Sequence, residues 1–79
     1  MYYVVLTDFR NVGMLVQVSN ESAKVFTYKD GWVAFNFSPY IDSDDLDVAD
    51  EYREVSNEEK NRLINERGIV DGSDAYNWL

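Results

Sequence analysis

Apolar and polar positions alternate with a period of two through the first half of the chain, and that pattern predicts strands. Tyr2 to Phe9, YYVVLTDF, is rich in β-branched and aromatic residues and reads as the first. Tyr3, Val5, Thr7 and Phe9 share one face, and Tyr2, Val4, Leu6 and Asp8 the other. Both faces are largely apolar, so this strand belongs centrally or under cover on two sides. Arg10-Asn11-Val12-Gly13 reads as a turn, since Asn11 and Gly13 tolerate positive φ. Met14 to Val18 is the second expected strand, Ala23 to Tyr28 the third and Trp32 to Phe37 the fourth.

Asp30-Gly31 lies between the last two. Asp-Gly flanked by strand residues is a strong hairpin signal, because a type I′ turn needs positive φ at both central positions. With those residues at the centre, Tyr28 faces Val33, Phe26 faces Phe35 and Lys24 faces Phe37. The expected core face is then Phe26, Tyr28, Val33, Phe35 and Phe37, with Trp32 on the opposite side. A one-residue slip would invert the pattern.

Pro39 cannot donate to a ladder and ends the fourth strand. Beyond it the alternation fails. Leu46, Ala49 and Tyr52 recur every three residues, but the like charges around them weaken a helix. Residues 38–55 therefore read mostly as an acidic loop, with room for one helical turn before Asp50 and a short edge strand from Glu51 to Val55. Ser56-Asn57-Glu58-Glu59 is a capping box, which starts a helix over about 57–67. Gly68 is the expected C′ residue, with Ile69 packing back on Ile64. Only Leu63 and Ile64 are apolar inside that helix, so it lies on a surface. An apolar tail, 69–79, turns at Asp71-Gly72 and ends on Tyr76, Trp78 and Leu79.

The elements add to one α+β domain spanning 1–79: a four-stranded, mainly antiparallel sheet with one C-terminal surface helix. A small β-barrel of the same strands is the structural alternative. Seventy-nine residues contain no Cys and no His. Disulfides are therefore out, and the core must come from two Trp, six Tyr, four Phe and the aliphatics. No secretory leader is expected, because YYVVL lacks a basic flank and is soon interrupted by Asp8 and Arg10. The expected location is the cytoplasm of a bacterial or phage-infected cell, which also fits the absence of Cys.

Charge changes the picture most. Asp42 to Glu59 holds nine acids (Asp42, Asp44, Asp45, Asp47, Asp50, Glu51, Glu54, Glu58 and Glu59) against Arg53. That local charge equals the −8 of the whole chain, since residues 1–41 and 60–79 each sum to zero. Glu58 and Glu59 are explained by the helix start, where the dipole favours acids. The unexplained charge narrows to Asp42, Asp44, Asp45, Asp47, Asp50, Glu51 and Glu54. Such acidity disfavours direct contact with nucleic acid or anionic membranes.

Catalysis is not expected. Without His or Cys there is neither a Ser–His–Asp triad nor a thiol nucleophile. The four glycines are scattered singly, so no phosphate loop forms. No cofactor and no dedicated metal site are expected. A calcium loop started at Asp42 puts Leu46 at position 5 and Arg53 at position 12, and one started at Asp45 puts Ala49 and Ser56 there.

Two functions remain. In the first, the acids imitate nucleic-acid phosphates and dock on a basic nucleic-acid-binding protein, with Tyr40, Tyr52 and Trp32 as apolar anchors. Duplex DNA carries a charge every ~1.7 Å, and an extended chain rises ~3.3 Å per residue. Asp42, Asp44, Asp45 and Asp47 then place four charges over ~16 Å, comparable with the ~3.4 Å spacing along one DNA strand. In the second, the acids serve only solubility, and an aromatic surface using Trp32 or Trp78 makes a structural or homodimeric contact. The layout of a sheet followed by EYREVSNEEKNRLINERG looks like many small bacterial and bacteriophage proteins. The compact, His-free, acidic profile is similar to phage-encoded inhibitors of host nucleic-acid enzymes, anti-CRISPR proteins among them. That resemblance is one of size and charge, and it implies an inhibitor without assigning any residue a role.

Overall fold

A computed structural model describes residues 1–20, 22–42 and 51–76, except the side chain of Asp42. The chain is α+β. Strands β1 (Tyr2–Leu6), β2 (Leu15–Val18), β3 (Ala23–Thr27) and β4 (Gly31–Phe35) come first, then the short helix α1 (Ser38–Asp42). β5 (Tyr52–Val55), α2 (Asn57–Asn65) and a 3₁₀ turn (Gly72–Asp74) follow. The sheet is antiparallel, with strand order β4-β3-β2-β1-β5.

That order corrects two expectations. The sheet has five strands rather than four, because Tyr52–Val55 pairs with β1. It is an open sheet, not a barrel: β4 and β5 lie at opposite ends of the order. β1 sits between β2 and β5 with both faces covered, as its two apolar faces require.

Alternation along the strands divides the core into two layers. Val4, Leu6, Met14, Val16, Val18, Ala23, Val25, Phe35 and Phe37 are buried on one face together with Tyr40 from α1. Leu15, Val55 and Ile69 are buried on the other, with Tyr3, Val5, Phe26, Tyr28, Trp32 and the α2 residues Leu63 and Ile64 packed on them. Two apolar residues suffice for α2, because the sheet supplies the aromatic half of that layer.

The β3–β4 hairpin departs from the Asp-Gly register. Thr27 pairs with Gly31, Phe26 with Trp32 and Val25 with Val33. Phe35 lies opposite Ala23 instead of Phe26, three residues away, and an odd shift inverts one strand relative to the other. Gly31 has φ 72°, but Asp30 is not in the positive-φ region, so a type I′ turn does not form. Thr27 builds the turn instead. Its Oγ1 accepts from the Asp30 N–H at 2.9 Å and donates to the Gly31 carbonyl at 2.9 Å. The two-residue register would have turned Lys24 into the core. The observed one leaves Lys24 exposed and buries Ala23, Val25 and Thr27.

The ends of α2 follow local chemistry. Ser56 caps the N-terminus, its Oγ accepting from the Glu59 N–H at 3.0 Å. At the C-terminus Gly68 N–H donates to Leu63 O at 2.8 Å and Arg67 N–H to Ile64 O at 3.3 Å, the Schellman pattern. The left-handed residue is therefore Arg67, with φ 53°, and Gly68 stands one position beyond it. A side chain at Gly68 would be crowded, because an added Cβ would meet Leu63 Cδ2 at 3.1 Å and the leucine would have to give way slightly.

Candidate functional site

β5 brings the C-terminal part of the acidic segment to the edge of the sheet. Its register sets Tyr52 opposite Leu6, Arg53 opposite Val5, Glu54 opposite Val4 and Val55 opposite Tyr3. Alternation therefore sends Arg53 to the α2 face and Glu54 to the face of Tyr2 and Val4. Arg53 Nη1 lies 3.1 Å from Glu59 Oε2, and the arginine side chain is more than half exposed. Such a surface pair contributes about 0–1 kcal/mol. The pairing also occupies Glu59 with Arg53 rather than with the Ser56 N–H that a reciprocal capping box would use.

Glu51 and Glu54 differ in setting. Glu51 continues the ladder past β5, its carbonyl accepting from the Thr7 N–H at 3.0 Å and its Oε2 from Thr7 Oγ1 at 3.2 Å. Glu54 is exposed. Its charge is felt locally: burial first, then Tyr52 and Glu54, holds the Tyr2 phenol above its ordinary value of 10.0. Tyr52 is half-buried and meets the Phe37 ring edge-on at 5.2 Å.

The other candidates divide. Asp42 closes α1. Asp44, Asp45, Asp47 and Asp50, like Trp78, lie outside the described residues. Trp32 is half-buried on the α2 face, 5.2 Å from the Phe26 ring and 5.8 Å from that of Tyr3. Tyr40 is a correction. It is fully buried, stacked on Phe37 at 5.2 Å, and in this fold it has no surface to offer a partner.

Tyr40 belongs to a polar cluster that strand-and-turn patterns do not reveal. Its hydroxyl donates to Asp8 Oδ1 at 2.9 Å and accepts from Asn11 Nδ2 at 3.0 Å. Asn11 N–H donates to Asp8 Oδ2 at 3.1 Å. Asn11 also fastens the C-terminal segment, with Nδ2 donating to Tyr76 O at 2.8 Å and Oδ1 accepting from Tyr76 N–H at 2.7 Å. Asp8 and Asn11 are buried almost completely. The one hint in the sequence is Asp8 on the apolar Tyr2-Val4-Leu6 face.

No protein family, curated protein or solved structure matches the chain. Function must therefore be argued from the residues. Among the described residues no group of three or more acids is placed to hold a metal ion. Nor, among the described residues, is any helix long and apolar enough to cross a membrane. A cleft of about 290 Å³ between the β2–β3 turn and α1 is lined by hydroxyl, amide and apolar side chains such as Ser19, Asn36 and Ile41. None of the described acids of the 42–59 segment lines it.

Proposed function

We propose that the chain is a non-catalytic binding module whose acidic segment, Asp42 to Glu54, docks on a basic nucleic-acid-binding protein. The observation that supports this reading is charge concentration. Thirteen residues carry seven acids and one base, and that base, Arg53, leans on Glu59 instead of neutralising its own segment. The rest of the chain sums to only −2, from Glu58 and Glu59 at the helix start, so most of the field has one source. A partner built to bind phosphates is attracted by it over long range, and the association is fast and salt-sensitive. Exposed Glu54 at the end of a paired strand gives the segment a fixed point on the body. Tyr52 takes the role of apolar neighbour; Tyr40 drops out because it is buried. The likeness in size and charge to phage-encoded inhibitors agrees with this reading.

The test is affinity capture from a bacterial lysate at graded salt, with duplex DNA as competitor. The expected result is a basic nucleic-acid-binding protein that DNA displaces and that is lost steeply between about 50 and 200 mM salt. Changing Asp44, Asp45 and Asp47 together to Asn abolishes capture. Capture that is indifferent to salt, to DNA and to the triple change would overturn the reading.

A further inference from the structure

The two edges of the sheet differ in a way that the acidic segment does not explain. β5 carries Arg53 and Glu54, both exposed, and charged side chains are a common guard against edge pairing. β4, Gly31-Trp32-Val33-Ala34-Phe35, has no charge and no proline. It is the last strand in the sheet order, so one side of its backbone has no ladder partner among the described residues. Trp32 and Val33 are half-buried and Ala34 is exposed. At Gly31 an added Cβ would meet nothing within 4 Å.

We propose that β4 pairs antiparallel with β4 of a second copy of this chain, about a two-fold axis at Val33. Side-chain sizes carry the choice of partner and register. Pairing about Val33 sets Trp32 opposite Ala34 of the second copy and Gly31 opposite Phe35, so each large residue meets a small one. Directly opposed side chains in antiparallel strands stand ≈ 4.5–5.5 Å apart at Cβ, close enough for that complementarity to count. Continuing outward, Asp30 falls opposite Asn36 and Lys29 opposite Phe37, so no like charges meet across the seam. Trp32 is already held between Phe26 and Tyr3, so little of its freedom is lost on pairing. The two-fold keeps each face of the sheet on its own side, and the two α2 helices cover the same face. The contact is isologous and closes at two copies, while the charged β5 edges prevent further growth.

Sedimentation equilibrium over a concentration series tests this, independently of the acidic segment. Wild type should move from 9.2 kDa toward twice that mass, and high salt should not reverse it. Ala34→Glu is the disrupting variant. In the monomer the new carboxylate lies opposite Lys24, so the fold tolerates it. In the dimer it faces Trp32 of the second copy twice over, and association should weaken at least about tenfold. Circular dichroism of the variant checks that it folds. In a mixture of isotope-labelled and unlabelled chains, the Ala34 methyl should show an intermolecular contact to the Trp32 ring. A monomer at every concentration would overturn the proposal, as would a dimer dispersed by salt or one indifferent to Ala34→Glu.

Discussion

Asn11 uses its side chain as a second strand would use its backbone, taking the N–H of Tyr76 and giving to its carbonyl. The remaining amide hydrogen goes to Tyr40, which in turn holds Asp8. Asn11→Ala removes three hydrogen bonds from this cluster, and we expect a loss of about 2–4 kcal/mol in denaturant unfolding. Hydrogen exchange at the Tyr76 amide should accelerate in the same variant. Tyr28 is the opposite case, since its buried hydroxyl has no hydrogen-bond partner among the described residues. Tyr28→Phe should therefore hold or raise stability, by up to about 1 kcal/mol, as seen in the urea midpoint. Asp71 gives a pH signature. The Ser73 hydroxyl first, and then the Ser73 amide, hold its carboxyl below the ordinary 3.8. A depressed folded value means that its contribution is complete above 3.8 and is lost as pH falls through the folded value. Ser73→Ala should raise the Asp71 midpoint in an NMR titration. At this scale the sequence was least legible: a turn asparagine and a strand aspartate look ordinary until the fold closes over them.

Elements were more legible, and each departure has a physical source. β1 to β4 and α2 follow from alternation and from the capping box. β5 is expected as a short edge strand but falls outside the four-stranded count, because Tyr-Arg-Glu-Val does not alternate and its pairing with β1 depends on a strand distant in sequence. The hairpin register escaped because Asp-Gly outweighed Thr27 and Lys24, whose hydroxyl and ammonium decide which face turns inward. Arg67 is a similar case, where the left-handed residue after the helix falls one position before the glycine. A non-glycine residue in the left-handed region costs about 1–2 kcal/mol. The Arg67 guanidinium lies 4.4 Å from the centre of the Tyr28 ring, a contact of about 0.5–1 kcal/mol at an exposed site. Arg67→Ala loses the contact and keeps the strain, whereas Arg67→Gly loses both. Thermal unfolding should rank the glycine variant above the alanine variant by about 1 kcal/mol.

For the whole molecule the legible quantity was charge, and the illegible one was where the body would carry it. The −8 of the chain is the charge of Asp42–Glu59, which leaves the short helix α1, returns as the edge strand β5 and ends in the first turn of α2. The neutral remainder forms a two-faced sheet whose opposite edge, β4, is free of charge. The two proposed contacts, a basic partner at one end of the sheet and a copy of the same chain at the other, use different edges and are therefore compatible. The carboxylate segment is the central claim, and the salt dependence of partner capture by wild type and by the Asp44, Asp45 and Asp47→Asn variant tests it most directly. The account predicts that a basic, DNA-displaceable partner is captured at low salt by wild type alone. Equal capture by both proteins, unaffected by salt, would contradict it.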